Sequence, residues 1–159
     1  MVQAGYYKYG IDRRGVAAQR GEGFDGWYAE GSWVLTGEPR GWSISNAGFT
    51  NPRPRADFDP ERDAWGAWEL AGRYSDLNLN DQAGMAGSPL LPGGVRGGEQ
   101  RIAAIGLNWY PNTVLKFMLQ AQNVQINRIG TNTAVIPNTA NADLGQNFDT
   151  IALRSQIAF

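Results

Sequence analysis

Apolar and polar residues alternate along this chain with a period of two. In the last stretch, Ile151, Leu153, Ile157 and Phe159 share one parity, while Thr150, Arg154 and Gln156 share the other. Successive side chains of a strand point to opposite faces, so residues 148–159 are expected to form a strand with one greasy and one wet face. The same reading gives a strand over about 2–11. It gives another over 24–36, where Trp27, Ala29, Trp33 and Leu35 oppose Tyr28, Glu30 and Ser32. Over 65–77, Trp68, Leu70 and Tyr74 oppose Glu69, Arg73 and Ser75. Over 100–110, Ala103, Ile105, Leu107 and Trp109 oppose Ala104, Gly106 and Asn108. Over 113–127, Leu115, Phe117, Leu119 and Ala121 oppose Lys116, Met118, Gln120 and Gln122. These stretches exceed the usual globular strand of about 5–6 residues. They reach the roughly 9–11 residues of a tilted membrane strand.

The expected fold is therefore all-β: an antiparallel meander of about six long strands. A terminal strand that alternates up to an aromatic suggests the C-terminal part of an outer-membrane β-barrel, with lipid on the greasy face and the lumen on the wet one. The connectors alternate in style. Tyr110-Pro111-Asn112-Thr113 is a tight turn, whereas 78–99 is long and rich in Gly and Pro, and 129–147 is long and rich in Asn and Thr. Such barrels have short periplasmic turns and longer extracellular loops. With residue 159 at the periplasmic rim, both long links fall outside the cell. The 37–64 link breaks the pattern: it should be periplasmic, yet it is long, and it is either an ordered excursion or a mobile segment. Trp65, Trp109, Tyr110 and Phe159 fall near strand ends, where amphipathic rings prefer the level of the lipid headgroups. The competing reading is a soluble β-sandwich with core aromatics, binding carbohydrate through its tryptophans.

Composition narrows the chemistry. At 159 residues one domain is expected, and no stretch approaches the roughly 20 apolar residues of a spanning helix. The mean hydropathy of -0.40 does not argue against a barrel, since alternation hides the apolar face in the average. Cys and His are both absent, which removes disulfides, thiolate metal sites and the commonest general base. No Gly-x-Ser-x-Gly elbow exists, so an enzyme is not expected. Of 14 basic residues only Lys8 and Lys116 are lysine, and no basic run stands out, which argues against nucleic acid as a partner. Asp57, Asp59, Glu61 and Asp63 alternate, but the spacing is not that of a calcium loop and Pro60 sits badly in one. They read as solvated charges paired with Arg53, Arg55 and Arg62. Gly93-Gly94-Val95-Arg96-Gly97-Gly98 reads as a flexible loop, since no helix follows to make a phosphate cradle. No metal and no cofactor is expected.

Several blocks resemble the phosphate-selective porin O and P family. They are the run from Trp65-Gly66-Ala67-Trp68-Glu69 to Asp81, Gly106-Leu107-Asn108-Trp109-Tyr110-Pro111-Asn112, Phe24-Asp25-Gly26-Trp27-Tyr28 with Val34-Leu35-Thr36-Gly37-Glu38, and Asp149-Thr150-Ile151-Ala152-Leu153-Arg154 with the closing Ala158-Phe159. The resemblance runs in order over nearly the whole chain. It implies a segment of a sixteen-stranded, homotrimeric outer-membrane channel that passes inorganic anions, phosphate or polyphosphate. The alternative is a non-conducting outer-membrane barrel with a structural or adhesive role.

Six strands cannot close an aqueous pore, which takes about 16–18. Residues 1–159 are thus expected to be a partial barrel whose remaining strands belong to a longer chain. No signal peptide opens the sequence, in keeping with a removed leader or a fragment. By parity Arg73, Lys116 and Arg154 face the lumen and are the candidates for anion contact, since guanidinium forks suit phosphate. Glu30 and Glu69 face the same way, so cross-strand ion pairs on the wall, such as Glu69 with a neighbouring Arg or Lys, are the alternative. Arg13, Arg14 and Arg20 are either vestibule charges or solvated loop charges.

Overall fold

A computed structural model describes residues 1–11, 22–85, 88, 90, 92–130 and 145–157. Phe159, Arg13, Arg14 and Arg20 lie outside the described residues. The strands are β1 (Val2–Ile11), β2 (Glu22–Val34), β3 (Trp42–Ser43), β4 (Gly48–Phe49), β5 (Ala67–Asp81), β6 (Val95–Tyr110), β7 (Leu115–Asn127) and β8 (Gln146–Ile157). Six of them form one antiparallel meander in the order β1-β2-β5-β6-β7-β8, and β3 and β4 form a separate small hairpin.

The register keeps like with like. Trp33 pairs with Leu70, Leu70 with Leu107, Leu107 with Leu119, and Leu119 with Leu153. The row one residue along, on the other parity, is polar but for Met118: Glu69 pairs with Asn108, Asn108 with Met118, and Met118 with Arg154. A slip of one residue would exchange the faces, so this register is what the alternation specifies. Nothing among the described residues covers the apolar face. Ile151 is 79% exposed, Leu153 78% and Trp33 69%. Soluble monomers rarely expose contiguous apolar patches beyond a few hundred Å². The buried hydrophobic side chains are few (Val34, Ala67, Tyr110 and Val124), and all four stand on the polar parity.

The apolar region is a band with slanted edges. Along its upper edge the first polar residue is Asp25 on β2, Asp76 on β5, Arg101 on β6, Asn123 on β7 and Asp149 on β8. Asp25 lies level with Asn78, Arg101 with Asp76, and Asn123 and Asp149 with Tyr74 through Ala103. The edge drops four residues across four strand spacings, about 13 Å against about 19 Å, which is a tilt of about 35°. The lower edge steps in the same sense. Leu35 at the end of β2, Trp68 and Trp109 share one row, and Leu115 and Ile157 lie one row lower. Membrane barrel strands tilt by about 35–45°.

Two segments read as loops are strand. β5 runs on to Asp81 and β6 begins at Val95, so Val95 to Gly98 are strand and not a flexible loop, Val95 pairing with Asp81 and Arg96 with Asn80. A register shift between Asn78 and Asn80 bends the ladder there. Gly97 and Gly98 allow it: a Cβ on Gly97 would stand 2.5 Å from the Leu79 carbonyl oxygen, and Gly98 has φ of 96°. Above the band the apolar residues change parity, to Leu77 and Leu79 on β5 and Val124 and Ile126 on β7, so the lipid-face alternation stops reporting the strand.

The 37–64 link is an ordered excursion. It carries the β3–β4 hairpin, closed by Trp42 edge-on to Phe49, and a one-turn 3-10 helix Pro60–Arg62 capped by Asp59. It docks back through the Phe58 amide, which donates to the Pro111 carbonyl at 2.7 Å.

Candidate functional site: the polar face of the sheet

The excursion, not a neighbouring strand, supplies the partner of the most buried charge. The Glu69 side chain on β5 is 2% exposed. Its Oε1 accepts from Arg40 Nη1 at 2.6 Å, and its Oε2 accepts from the Tyr110 hydroxyl at 2.7 Å and from Asn108 Nδ2 at 3.1 Å. Arg40 is fixed in turn by Ser32 Oγ at 2.9 Å and the Thr50 carbonyl at 3.0 Å. Local geometry delivers it there. Gly37 turns with φ of 85°, Thr36 Oγ1 bonds Glu38, and the same oxygen accepts from the Trp68 amide at 3.1 Å. At the far end of the excursion Gly66 has φ of 68° and abuts the Tyr110 carbonyl and Pro111. A buried carboxylate is tolerated only when charged and hydrogen-bonding partners surround it, as here.

Arg73, Lys116 and Arg154 all stand on this face, but in different settings. Arg73 Nη1 pairs with Glu30 Oε2 at 3.1 Å across β2 and β5, and its guanidinium lies 4.5 Å over the Tyr28 ring. Lys116 Nζ lies 5.0 Å over the Tyr110 ring. Lys116 and Arg154 have no ion pair among the described residues. Through the band the strands therefore put Arg73, Lys116 and Arg154 on this face against Glu30 and Glu69, an excess of one positive charge among the described residues, and the excursion adds Arg40 and the buried Glu38. Arg73, Glu30, Arg40, Glu69 and Lys116 line one concavity of about 280 Å³.

The aromatics expected at strand ends divide by parity. Trp109 is on the apolar face, stacked between Trp68 at 5.6 Å and Phe117 at 5.5 Å, with its Nε1 donating to the Trp65 carbonyl at 2.8 Å. Trp65 precedes β5, is exposed, and meets Trp109 through Phe58. Tyr110 departs from the interface role expected of it: one residue on from Trp109, it points to the opposite face, where it is 2% exposed and bonded to Glu69. Sequence reasoning missed Arg40 altogether. It stands outside any strand, so no parity assigns it a face.

A tilted, one-sided apolar band edged by aromatic rows, backed by a polar face with a cationic excess, defines a wall of a transmembrane β-barrel. The chain belongs to the phosphate-selective porin O and P family, whose family model matches residues 1–159. It is 27% identical over 107 residues to Porin O of Pseudomonas aeruginosa, a stretch covering 67% of this chain and 23% of that protein. The chain thus spans about a quarter of the length of this curated relative. It is an outer-membrane protein, and its long strands are transmembrane β-strands.

Proposed function

We propose that this chain forms a sector of the wall of an anion-conducting outer-membrane pore that passes phosphate or polyphosphate. Its apolar face meets lipid and its polar face lines water. The observation that carries this reading is the pairing of the two faces: an uncovered, slanted apolar band on one side and a net cationic surface on the other. Lys116 and Arg154 supply the uncompensated charge, while Arg73 and Arg40 hold their carboxylate partners. A conducting wall needs attraction weak enough to release the ion, which spaced cations, the exposed Arg154 and the half-buried Lys116, provide.

The sheet's edges support closure by further strands. β1 and β8 each have a neighbour on one side only. About half the peptide groups of the ten-residue β1 face outward unpaired. In lipid each costs several kcal/mol, tens in all, against a net folding stability of about 5–15 kcal/mol. Ten or so additional strands, in a homotrimer of such barrels, match the diameter an aqueous channel requires.

The test is the reversal potential of the membrane-assembled porin in a planar bilayer under a salt gradient. Anion preference, with conductance reduced by added phosphate, is expected. Cation preference with no effect of phosphate would overturn the reading, and a closed lumen with no conductance would select the structural or adhesive role.

A further inference from the structure

The upper half of the polar face carries rings as well as charges. Tyr9 and Phe24 face each other across β1 and β2. Two residues lower, Tyr7 stacks on Tyr28 with ring centres 6.1 Å apart and planes 16° from parallel. Gly5, opposite Tyr28, makes this arrangement possible, because a Cβ there would lie 2.6 Å from the Tyr28 ring. Gln3 Nε2 donates to the Tyr28 hydroxyl at 2.8 Å and pins the ring across the strand pair. Arg73 then lies 4.5 Å over Tyr28. Tyr9, Tyr7, Tyr28 and Arg73 therefore descend in a line of about 20 Å from the rim end of β1. The line ends on the concavity lined by Arg73, Arg40 and Lys116.

Tyr7 and Tyr9 are accessible, 49% and 62% exposed among the described residues, and Tyr28 is half-buried. The charge at the level of Arg73 is offset by Glu30, so a bare anion gains little there. A ring gains from stacking whatever the local net charge. Arg73 is 52% exposed, which leaves guanidinium N–H groups beyond the Glu30 contact to reach a ligand oxygen.

We propose that this strip is a binding track for phosphate esters that carry a ring, aryl or sugar. The ring rests on Tyr9, Tyr7 and Tyr28, and the phosphate rests on Arg73 and the cations of the concavity below. The proposal rests on the polar face being the lumen.

The test measures block of single-channel current through the membrane-assembled porin by phenyl phosphate, inorganic phosphate and phenol. Phenyl phosphate is expected to block at lower concentration than either of the others. Tyr7→Ala and Tyr28→Ala should each raise its half-blocking concentration about threefold to tenfold. Tyr7→Ala should leave that of inorganic phosphate unchanged, and Tyr28→Ala, which also removes the ring under Arg73, should weaken block by phenyl phosphate more than by inorganic phosphate. Tyr28→Phe keeps the ring and should keep the block. Conductance of each variant in potassium chloride checks that it has folded. Phenyl phosphate binding no tighter than inorganic phosphate in the native protein, or alanine variants that weaken both equally, would overturn the proposal while the anion channel stands. Cation preference with no block by either phosphate would instead fell the channel reading, and the track with it.

Discussion

Removing the Glu69 carboxylate tests whether the excursion is held to the wall by charge. Glu69→Leu leaves Arg40, whose side chain is 17% exposed, without its anion, and strips the Tyr110 hydroxyl and Asn108 of their acceptor. Breaking one partner of a buried pair costs about 3–5 kcal/mol, because the other charge stays desolvated. Arg40 keeps its bonds to Ser32 and Thr50, so the lower end, about 3 kcal/mol, is expected. Replacing both partners removes the stranded charge. The double variant Arg40→Met with Glu69→Leu should therefore cost less than the sum of the singles, with a coupling of about 2 kcal/mol. Urea unfolding of the vesicle-inserted protein, followed by tryptophan fluorescence, gives the four corners of the cycle. Trypsin cleavage after Arg55 and Arg62, both exposed already, gives an independent reading, since undocking of residues 37–64 should loosen the backbone around them and speed cutting in the Glu69→Leu variant. Additive single costs, with cleavage no faster than in the native protein, would refute the latch.

Leu153→Arg puts a charge on the lipid face and should cost about 2–4 kcal/mol near the midplane, read as loss of membrane-assembled protein. Its neighbour Arg154→Leu should assemble normally but lower anion preference in bilayer recordings; equal assembly defects in the two would mean the faces are misassigned. Lys116→Gln should reduce anion preference further when combined with Arg154→Leu, since the two are the uncompensated cations of the band. Gly66→Ala forces a side chain onto the Tyr110 carbonyl at a φ of 68°, so urea stability should fall by at least about 1 kcal/mol; an unchanged midpoint would show that the Gly66 backbone can relax.

The long strands are legible because lipid and water make the alternation stark. Leu119 and Gln120 announce opposite faces without any structure. That signal ends where the lipid ends. Asn78, Asn80 and Asp81 continue β5, yet Leu77 and Leu79 there stand on the parity opposite to the lipid face, and Arg96, Gly97 and Gly98 open β6 without an apolar residue among them. The glycines then read as loop although they permit a bulge. Tyr110 shows a different limit. As a strand-end aromatic it looks like Trp109, and only parity separates a ring at the membrane interface from one packed over Glu69. Arg40 was beyond reach for a third reason: its contact to Glu69 is set by the path of a 28-residue link whose turns at Gly37 and Gly66 fix its ends.

Exposure alone does not separate a barrel wall from half of a soluble sandwich, because a missing second sheet would leave the same face bare. The slant does. A sandwich core is bounded by where its covering sheet happens to end, so nothing obliges its two edges to climb in one direction. A bilayer is a flat slab, and strands crossing it at an angle must meet each surface at a register that shifts steadily from strand to strand. Here the top edge steps four residues from Asp25 to Asp149, and the bottom edge steps two residues in the same direction from Leu35 to Ile157, over the same four spacings. The slope of about 35° at the top follows from strand spacing and residue rise alone. The polar residues on the lipid-facing parity, Asp76 bonded to Arg101 at 2.9 Å and Asn123 to Asp149 at 2.8 Å, cease to be anomalies. They are where tilted strands leave the hydrocarbon.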